Sequence, residues 1–175
     1  MKIEAARKRV GTGEVPKIAV LSAIEQERRI EEAVAHRAFE IFESRCRLAG
    51  HELEDWRQAE AELESPRCFG QMSLEGTLWV STDVAMFEPG TIEIWLAPRK
   101  LTVCGVPWDA ILRPVANRSC LSSDRELIFH VLDLNCEVDP EEVIAKIDDA
   151  LSLEISLRKV ETVTQQKREM ETVAV

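Results

Sequence analysis

The chain of 175 residues has no tyrosine, only three histidines and an aromatic content of 5%. The histidines, His36, His51 and His130, do not have H-E-x-x-H spacing, and no two cysteines form a C-x-x-C pair. These absences argue against a zinc site. The few glycines also form no loop of the phosphate-binding kind, so the sequence predicts neither a metal nor a cofactor.

The residue patterns of catalysis are missing as well. An active site needs a nucleophile, a base and an orienting group, and the sequence has no G-x-S-x-G motif. Its adjacent pair Asp148 and Asp149 lies at a predicted turn, where short acidic residues are expected without any chemistry. We therefore predict that the protein is not an enzyme.

No uncharged apolar stretch approaches the roughly 20 residues that span a bilayer. The apolar stretch at residues 18–24 is not followed by a convincing cleavage site for a secretion signal. An odd number of cysteines without such a signal predicts free thiols rather than a disulfide framework. We therefore predict a cytoplasmic protein that does not contact a membrane. The cysteines are Cys46, Cys68, Cys104, Cys120 and Cys136.

Positive charge is scarce, because 22 basic residues stand against 32 acidic ones and the net charge is -10. The first 30 residues carry seven basic and four acidic residues, which leaves 15 against 28 in residues 31–175. Non-specific binding to nucleic acid needs the opposite charge, so nucleic acid is not a predicted partner. The basic start could contact an acidic partner or remain a solvated tail.

The first third of the chain divides into an arm and a helical hairpin. Residues 1–24 have no sustained period and predict a flexible arm. Residues 25–65 place apolar residues three, four or seven positions apart, which is typical of two amphipathic helices, with Gly50 between them and Pro66 beyond the second. The predicted apolar faces consist of Ile30, Val34, Ala38, Ile41 and Leu48 in the first helix and Leu53, Trp56, Ala59 and Leu63 in the second.

The start of the second helix allows two interpretations. His51, Asp55 and Trp56 could form a recognition corner, because Trp56 offers a large amphipathic surface. Alternatively, Trp56 belongs to the core of the hairpin, between the two helices, and His51 caps the second helix.

After Pro66 the period changes from 3.6 to 2. Alternating stretches predict short strands at 78–84, 92–96, 101–103, 127–134, 143–147 and 151–157. Short strands without helical patterns between them are typical of an antiparallel β-sandwich. The predicted fold class is α+β, with the helical hairpin followed by an immunoglobulin-like sandwich over residues 74–160. Residues 106–126 are predicted as a long loop and residues 161–175 as a polar tail.

Two tryptophans point away from the predicted interior of the sandwich. Trp79 and Trp95 alternate with the residues that form the buried face of their strands. They could line an exposed surface for a client or partner, or cover a sheet beneath the helical arm.

Four segments of the second half resemble the α-crystallin domain of small heat shock proteins, in the order found in that family. Residues 83–94 resemble its D-V-P-G-F-x-P-E-D-I-x-V run, and residues 99–105 its R-x-L-T-I-S-G strand. Residues 129–139 resemble F-x-R-x-x-x-L-P-x-x-V-D, and residues 145–157 resemble A-x-L-x-x-G-V-L-x-I-x-L. The resemblance covers about residues 75–160 and implies the sandwich fold.

Residues 36–64 resemble a short bacterial domain of unknown function, a helical hairpin with the pattern R-G-x-x-x-G-H-x-x-x-D-W at its turn. Cys46 stands at a position that is usually glycine in that pattern. The domain precedes α-crystallin-like domains in some bacterial proteins, so the two resemblances support each other. It brings no known activity.

The small-heat-shock resemblance also implies binding residues. It places a groove for clients or partners between Leu101 and Val103 on one side and Val143, Ala145 and Ile147 on the other. The C-terminal Val173 and Val175 are similar to the family's I-x-I/V tail motif, which docks in such a groove. Two β-branched residues at i and i+2 point to one side of an extended chain, which suits this role.

These features lead to two expectations about function. The first is an ATP-independent, oligomeric chaperone or scaffold of the small-heat-shock type, which takes part in the stress response by holding partly unfolded proteins. The second is a non-catalytic adaptor, in which the helical hairpin binds one dedicated protein partner and the sandwich is a platform.

Overall fold

A computed structural model describes residues 15–64, 69–108 and 127–160 of the chain. Within these ranges two amphipathic helices lie between the first strand and the remaining strands. The elements are β1 (Lys17–Val20), α1 (Ala23–Ser44), α2 (Glu52–Leu63), β2 (Gly70–Leu74), β3 (Thr77–Asp83), β4 (Glu93–Ala97), β5 (Lys100–Gly105), β6 (Ile128–Asp133), β7 (Val138–Ile147) and β8 (Ser152–Lys159).

The strands form two four-stranded sheets that pack face to face. The first sheet has the order β1-β4-β5-β6, and the second sheet has the order β2-β3-β8-β7. All neighbouring strands are antiparallel except β1, which runs parallel to β4. The predicted α+β fold, a helical hairpin followed by an antiparallel sandwich, is therefore confirmed, with one parallel pair added.

The core of the sandwich is formed by the inward-facing residues of both sheets. On β3 and β8 every second residue is buried, as a strand with one solvent-facing side requires. Full burial of one such aliphatic side chain stabilises the fold by roughly 1.5 to 3 kcal/mol. The fully buried aliphatic side chains of this core include Leu78, Ile94, Leu96, Leu101, Leu153, Ile155 and Leu157.

Helices α1 and α2 form an antiparallel hairpin. Ser22 begins α1 as its N-cap, because its hydroxyl accepts a hydrogen bond of 3.1 Å from the backbone N–H of Glu25. Side-chain ion pairs join the two helical segments. The Arg37 guanidinium lies 2.7 Å from the Glu62 carboxylate, and the Arg45 guanidinium lies 2.8 Å from the carboxylate of buried Asp55.

The hairpin packs on the outer face of the first sheet and makes the molecule three layers deep. Buried residues of α1 and α2 form one cluster with Trp95 of β4, Cys104 of β5 and Phe129 of β6. The Trp95 and Phe129 rings lie 5.6 Å apart between centroids. The helical residues of this cluster are Ile30, Val34, Ile41, Ala59 and Leu63.

One buried hydrogen bond fixes the position of α1 on the sheet. Gln26 and Thr102 are both fully buried, and the Thr102 hydroxyl donates to Gln26 Oε1 over 2.8 Å. The side-chain amide of Gln26 donates in turn to the backbone carbonyl of Leu21 over 3.2 Å. Because a buried polar group without a partner is costly, this chain of bonds specifies one register of helix on sheet.

The flexible arm predicted for residues 1–24 needs correction at its end. Residues 17–20 form β1, and α1 begins at Ala23. The strand forms because its backbone pairs with β4 from Lys17 opposite Glu93 to Val20 opposite Leu96. A four-residue segment has too few positions to show a period, so the sequence pattern missed it. Residues 1–14 lie outside the described residues.

The predicted helix faces are correct at their centres and wrong at the hairpin turn. Leu48 and Leu53 are exposed, because Leu48 lies in the turn beyond the end of α1 at Ser44 and Leu53 lies in the first turn of α2. Trp56 is half-buried at the margin of the helix–sheet cluster rather than in a core between the helices. Its indole N–H donates to the Glu60 carboxylate over 2.7 Å.

The sequence analysis did not predict strand β2, because the alternation in its sequence GQMSL covers only the four residues after Gly70, too few to establish a period. It pairs with β3 from Gly70 opposite Ser81 to Leu74 opposite Thr77. Most of the predicted loop, residues 109–126, and the predicted tail, residues 161–175, lie outside the described residues.

We predict that Thr102→Val destabilises the protein by about 1 to 3 kcal/mol, because it leaves the buried Gln26 side-chain oxygen without a donor. The double variant Gln26→Leu/Thr102→Val should lose less than the sum of the two single variants, because it removes both polar partners. Urea unfolding of all four proteins measures the coupling. Additive losses would show that this bond does not position the helix.

Candidate functional site

The five residues predicted to line a binding groove all face the interior between the two sheets. Leu101 and Val103 have no exposed surface, and β5 is paired on both sides, by β4 and β6. Ala145 is also buried, while Val143 and Ile147 are partly buried against the same core. Leu101 and Val103 are therefore core residues, and the predicted groove is not open at their position.

In the first sheet β4 pairs with β5 on one side, and β1 covers its other edge. The backbone N–H groups of Lys17 and Leu21 donate to the carbonyl groups of Ile92 and Leu96 over 3.2 and 3.0 Å. Ile18 packs against the sandwich core. A tail could dock by adding to a free strand edge, but β1 of the same chain occupies the edge of β4. Val173 and Val175 lie outside the described residues, so their docking stays a prediction.

Beside β1 lies a cleft of about 430 Å³. Its floor is apolar, with Ile92 and Ile147 among the lining residues, and its rim carries charged side chains. Lys17 Nζ lies 2.7 Å from Glu93 Oε1, and the Arg29 guanidinium lies 5.4 Å from the centre of the Trp95 ring. The charged groups on the rim therefore bind one another and Trp95.

The environment of Glu93 fits this interpretation. Partial desolvation raises the pKa of its carboxyl group, but hydrogen bonds from Lys17 and Trp95 outweigh desolvation, and the pKa is lowered overall. A carboxylate held in the charged form by two donors is a structural ion-pair partner. It lacks the raised pKa that a general acid at neutral pH needs.

No cluster of three or more His, Cys, Asp or Glu side chains that could hold a metal ion occurs in the described ranges. Of the cysteines in these ranges, Cys46, Cys104 and Cys136 are free. Burial raises the pKa of the Cys104 thiol, which keeps it protonated and unreactive. Among the residues described, no helix is long and apolar enough to cross a membrane.

The residues at the start of α2 do not converge on a ligand. His51 occupies the N-cap position without a side-chain capping bond, and its ring Nδ1 lies 2.8 Å from Glu54 Oε2. Asp55 is buried and faces Arg45, whereas Trp56 faces the sheet side of the hairpin. The three side chains have different partners, so the structure gives them structural roles.

The turn between the helices explains the unusual residue at position 46. Cys46 and Arg47 both have φ of +59°, in the left-handed region that glycine adopts without strain. Glycine at this place in the related pattern is therefore a backbone requirement. Cys46 meets it at a cost, because its Cβ crowds the following carbonyl group.

The sequence did not identify the group of exposed apolar side chains on the second sheet. On the outer face of the second sheet, Met72, Leu74, Trp79 and Ile144 are between 43% and 62% exposed. The strand pattern placed Trp79 outside, but it could not show which other strands lie beside it. Trp95, which has the same alternation, is buried under the helical hairpin.

Comparison with known proteins gives one family match. A protein family of unknown function, DUF2934, matches residues 25–65, which include α1 from its first turn and all of α2. This confirms the predicted resemblance of the hairpin to a domain of unknown function. No curated protein sequence matches the chain at a significant level.

The search of solved structures finds small heat shock proteins, as the sequence resemblance predicted. Heat shock protein 16.0 from Schizosaccharomyces pombe is 16% identical, with a TM-score of 0.42 over 57% of this chain and 70% of that chain. The hspA protein from Xanthomonas axonopodis is 15% identical, with a TM-score of 0.40 over 54% of this chain and 94% of that chain. The fold described above rests on the strand order and register of this chain.

We predict that Cys46→Gly stabilises the protein by up to about 1 kcal/mol, because glycine adopts a positive φ without strain. The greater conformational freedom of glycine in the unfolded chain offsets part of this gain. Cys46→Ala is the control, since alanine removes the thiol but keeps a Cβ. Thermal unfolding of both variants measures the difference. Equal stabilities would mean that the left-handed turn carries no strain.

Proposed function

We propose that the protein is an ATP-independent, small-heat-shock-like chaperone of the cytoplasm that holds partly unfolded chains at the edge of its second sheet. The observation that carries this proposal is the edge of β2, which no strand among the described residues covers. All five of its residues are exposed, and none is charged or a proline. An edge of this kind can accept an extended segment as an additional strand.

The other sheet edges in the described part of the chain are protected. Edge strand β7 contains Pro140, Glu141 and an irregular register before Val143. Edge strand β6 is bridged by Glu64 at Phe129, and β1 is short and begins with Lys17. Proline, charge, bulges and coverage are the means by which natural sheets prevent strand addition. Strand β2 itself contains no proline, charged residue or bulge, and the charged group that contacts it is the Lys159 ammonium at the Ser73 hydroxyl.

The chemistry of β2 fits an unfolded client. Main-chain hydrogen bonds to the edge do not depend on the sequence of the incoming strand. The exposed Met72 and Leu74 add apolar contact, which is worth about 25 cal/mol for each Å² removed from water. Such binding needs no nucleotide and is reversible.

The adaptor function is the second candidate that the sequence allowed. It needs an available face on the helical hairpin, but the apolar face of α1 and α2 is buried against Trp95, Cys104 and Phe129. A partner would use the outer face and the turn of the hairpin, where Phe39, Leu48 and Leu53 are 55%, 60% and 61% exposed. The packing of the hairpin therefore favours the chaperone over the adaptor.

We expect the full chain, at near-stoichiometric concentration and without ATP, to slow the heat-induced aggregation of an unrelated protein. Gln71→Lys should reduce this suppression several-fold, because a lysine on the edge strand hinders strand addition. Light scattering measures the aggregation, and circular dichroism checks that the variant remains folded.

Ala61→Lys provides the matched control, because it adds the same charge at an exposed position of α2. It should suppress aggregation as the unchanged protein does. Absence of suppression at several-fold excess of folded protein would refute the chaperone proposal and favour the adaptor. Equal suppression by both lysine variants would remove β2 as the client site.

A further inference from the structure

The strand register places a row of mostly apolar residues across the outer face of the second sheet. Met72 lies opposite Trp79, Trp79 lies opposite Ser156, and Ser156 lies opposite Ile144. Residues directly opposite each other on neighbouring strands point to the same side of a sheet. These four residues, called the central row, therefore cross β2, β3, β8 and β7 in a line.

Charged residues flank the central row on both sides, with opposite order. On one side β7 carries Lys146 and β8 carries Glu154, which lie opposite each other. On the other side β7 carries Glu142 and β8 carries Arg158, whose guanidinium lies 2.8 Å from the Glu142 carboxylate. Going from the first side of the central row to the second, the charge on β7 is thus positive and then negative. The charge on β8 is negative and then positive.

We propose that this face binds the same face of a second copy of the chain, with a two-fold axis along the central row. Such a rotation keeps each strand over its own counterpart but exchanges the two flanking sides. Lys146 then meets Glu142 of the partner subunit, and Glu154 meets Arg158 of the partner subunit. Each of these four flanking charges meets its opposite, and Trp79 meets Trp79 of the partner subunit.

The charge pattern selects a second copy over an arbitrary acidic or basic partner. The net charge of -10 opposes association of two copies in general. On this face the two positive and two negative flanking charges cancel, so the repulsion is locally absent. The flanking charges lie roughly 7 to 10 Å from the centre of the face, so a twist of about 30° between packed sheets displaces the charge pairs by about 4 to 5 Å, a distance that long lysine, arginine and glutamate side chains span.

The size of the face sets the strength of the contact. Four strands spaced about 4.8 Å apart and three residue rows give roughly 400 Å² for each copy. Stable complexes bury about 800 Å² for each partner. The structure therefore predicts a weak, concentration-dependent dimer. This inference does not depend on the chaperone proposal, because it uses the outer face of the sheet and not the main-chain groups at the edge of β2, although both contacts include Met72.

The test is sedimentation equilibrium of the full chain over a wide range of concentration. Trp79→Ser should raise the dimer dissociation constant at least tenfold, because it removes the centre of the contact. Lys146→Glu alone places negative charge over Glu142 of the partner subunit, and Glu142→Lys alone places positive charge over Lys146 of the partner subunit. Each variant should therefore be at least tenfold weaker in self-association.

An equimolar mixture of Lys146→Glu and Glu142→Lys should dimerise again, because every contact between the two variants has opposite charges. Arg57→Glu, on the exposed side of α2, makes the same change in net charge as Lys146→Glu and should leave dimerisation unchanged. A chain that stays monomeric at all concentrations overturns the proposal. So does a dimer that Trp79→Ser and the charge variants do not weaken, or a mixture that fails to recover association.

Discussion

The structure depends on the burial of one sheet face beneath the helical hairpin. Without α1 and α2, the outer face of the first sheet would expose Trp95, Cys104 and Phe129 to water. Without that sheet, the hairpin would expose the apolar stripes of both helices, and a two-helix unit this short has little stability of its own. The buried Gln26–Thr102 hydrogen bond fixes the fit between the layers. Hairpin and sandwich are therefore parts of one folded unit.

This arrangement decides which surfaces remain available for binding. The hairpin covers the first sheet, and β1 covers the edge of β4. The second sheet has no such cover in the described part of the chain, and its edge β2 and its outer face both present apolar side chains to solvent. Neighbouring exposed apolar side chains on one sheet of an acidic molecule are suited to reversible protein contacts.

The sequence predicted what depends on local periodicity and missed what depends on pairing between distant segments. The alternation in β3 and β8 and the helical period of α1 placed most core residues correctly. Leu101 and Val103 were assigned to a groove by resemblance, but only the strand order shows that β5 lies inside the sheet. Trp79 and Trp95 have the same alternation, and only the position of the hairpin makes one exposed and the other buried. Strands β1 and β2 are too short to establish a pattern.

Thiol labelling of the native protein tests most directly whether the hairpin is part of the folded unit. In a variant that keeps only Cys46 and Cys104, the exposed Cys46 serves as the internal standard. We predict that Cys104 reacts at least about a thousandfold more slowly than Cys46, because the docked hairpin buries it. Its labelling should occur only with global unfolding. Labelling of Cys104 at a rate near that of Cys46, while the sandwich stays folded, would show that the hairpin leaves the sheet and would contradict the account.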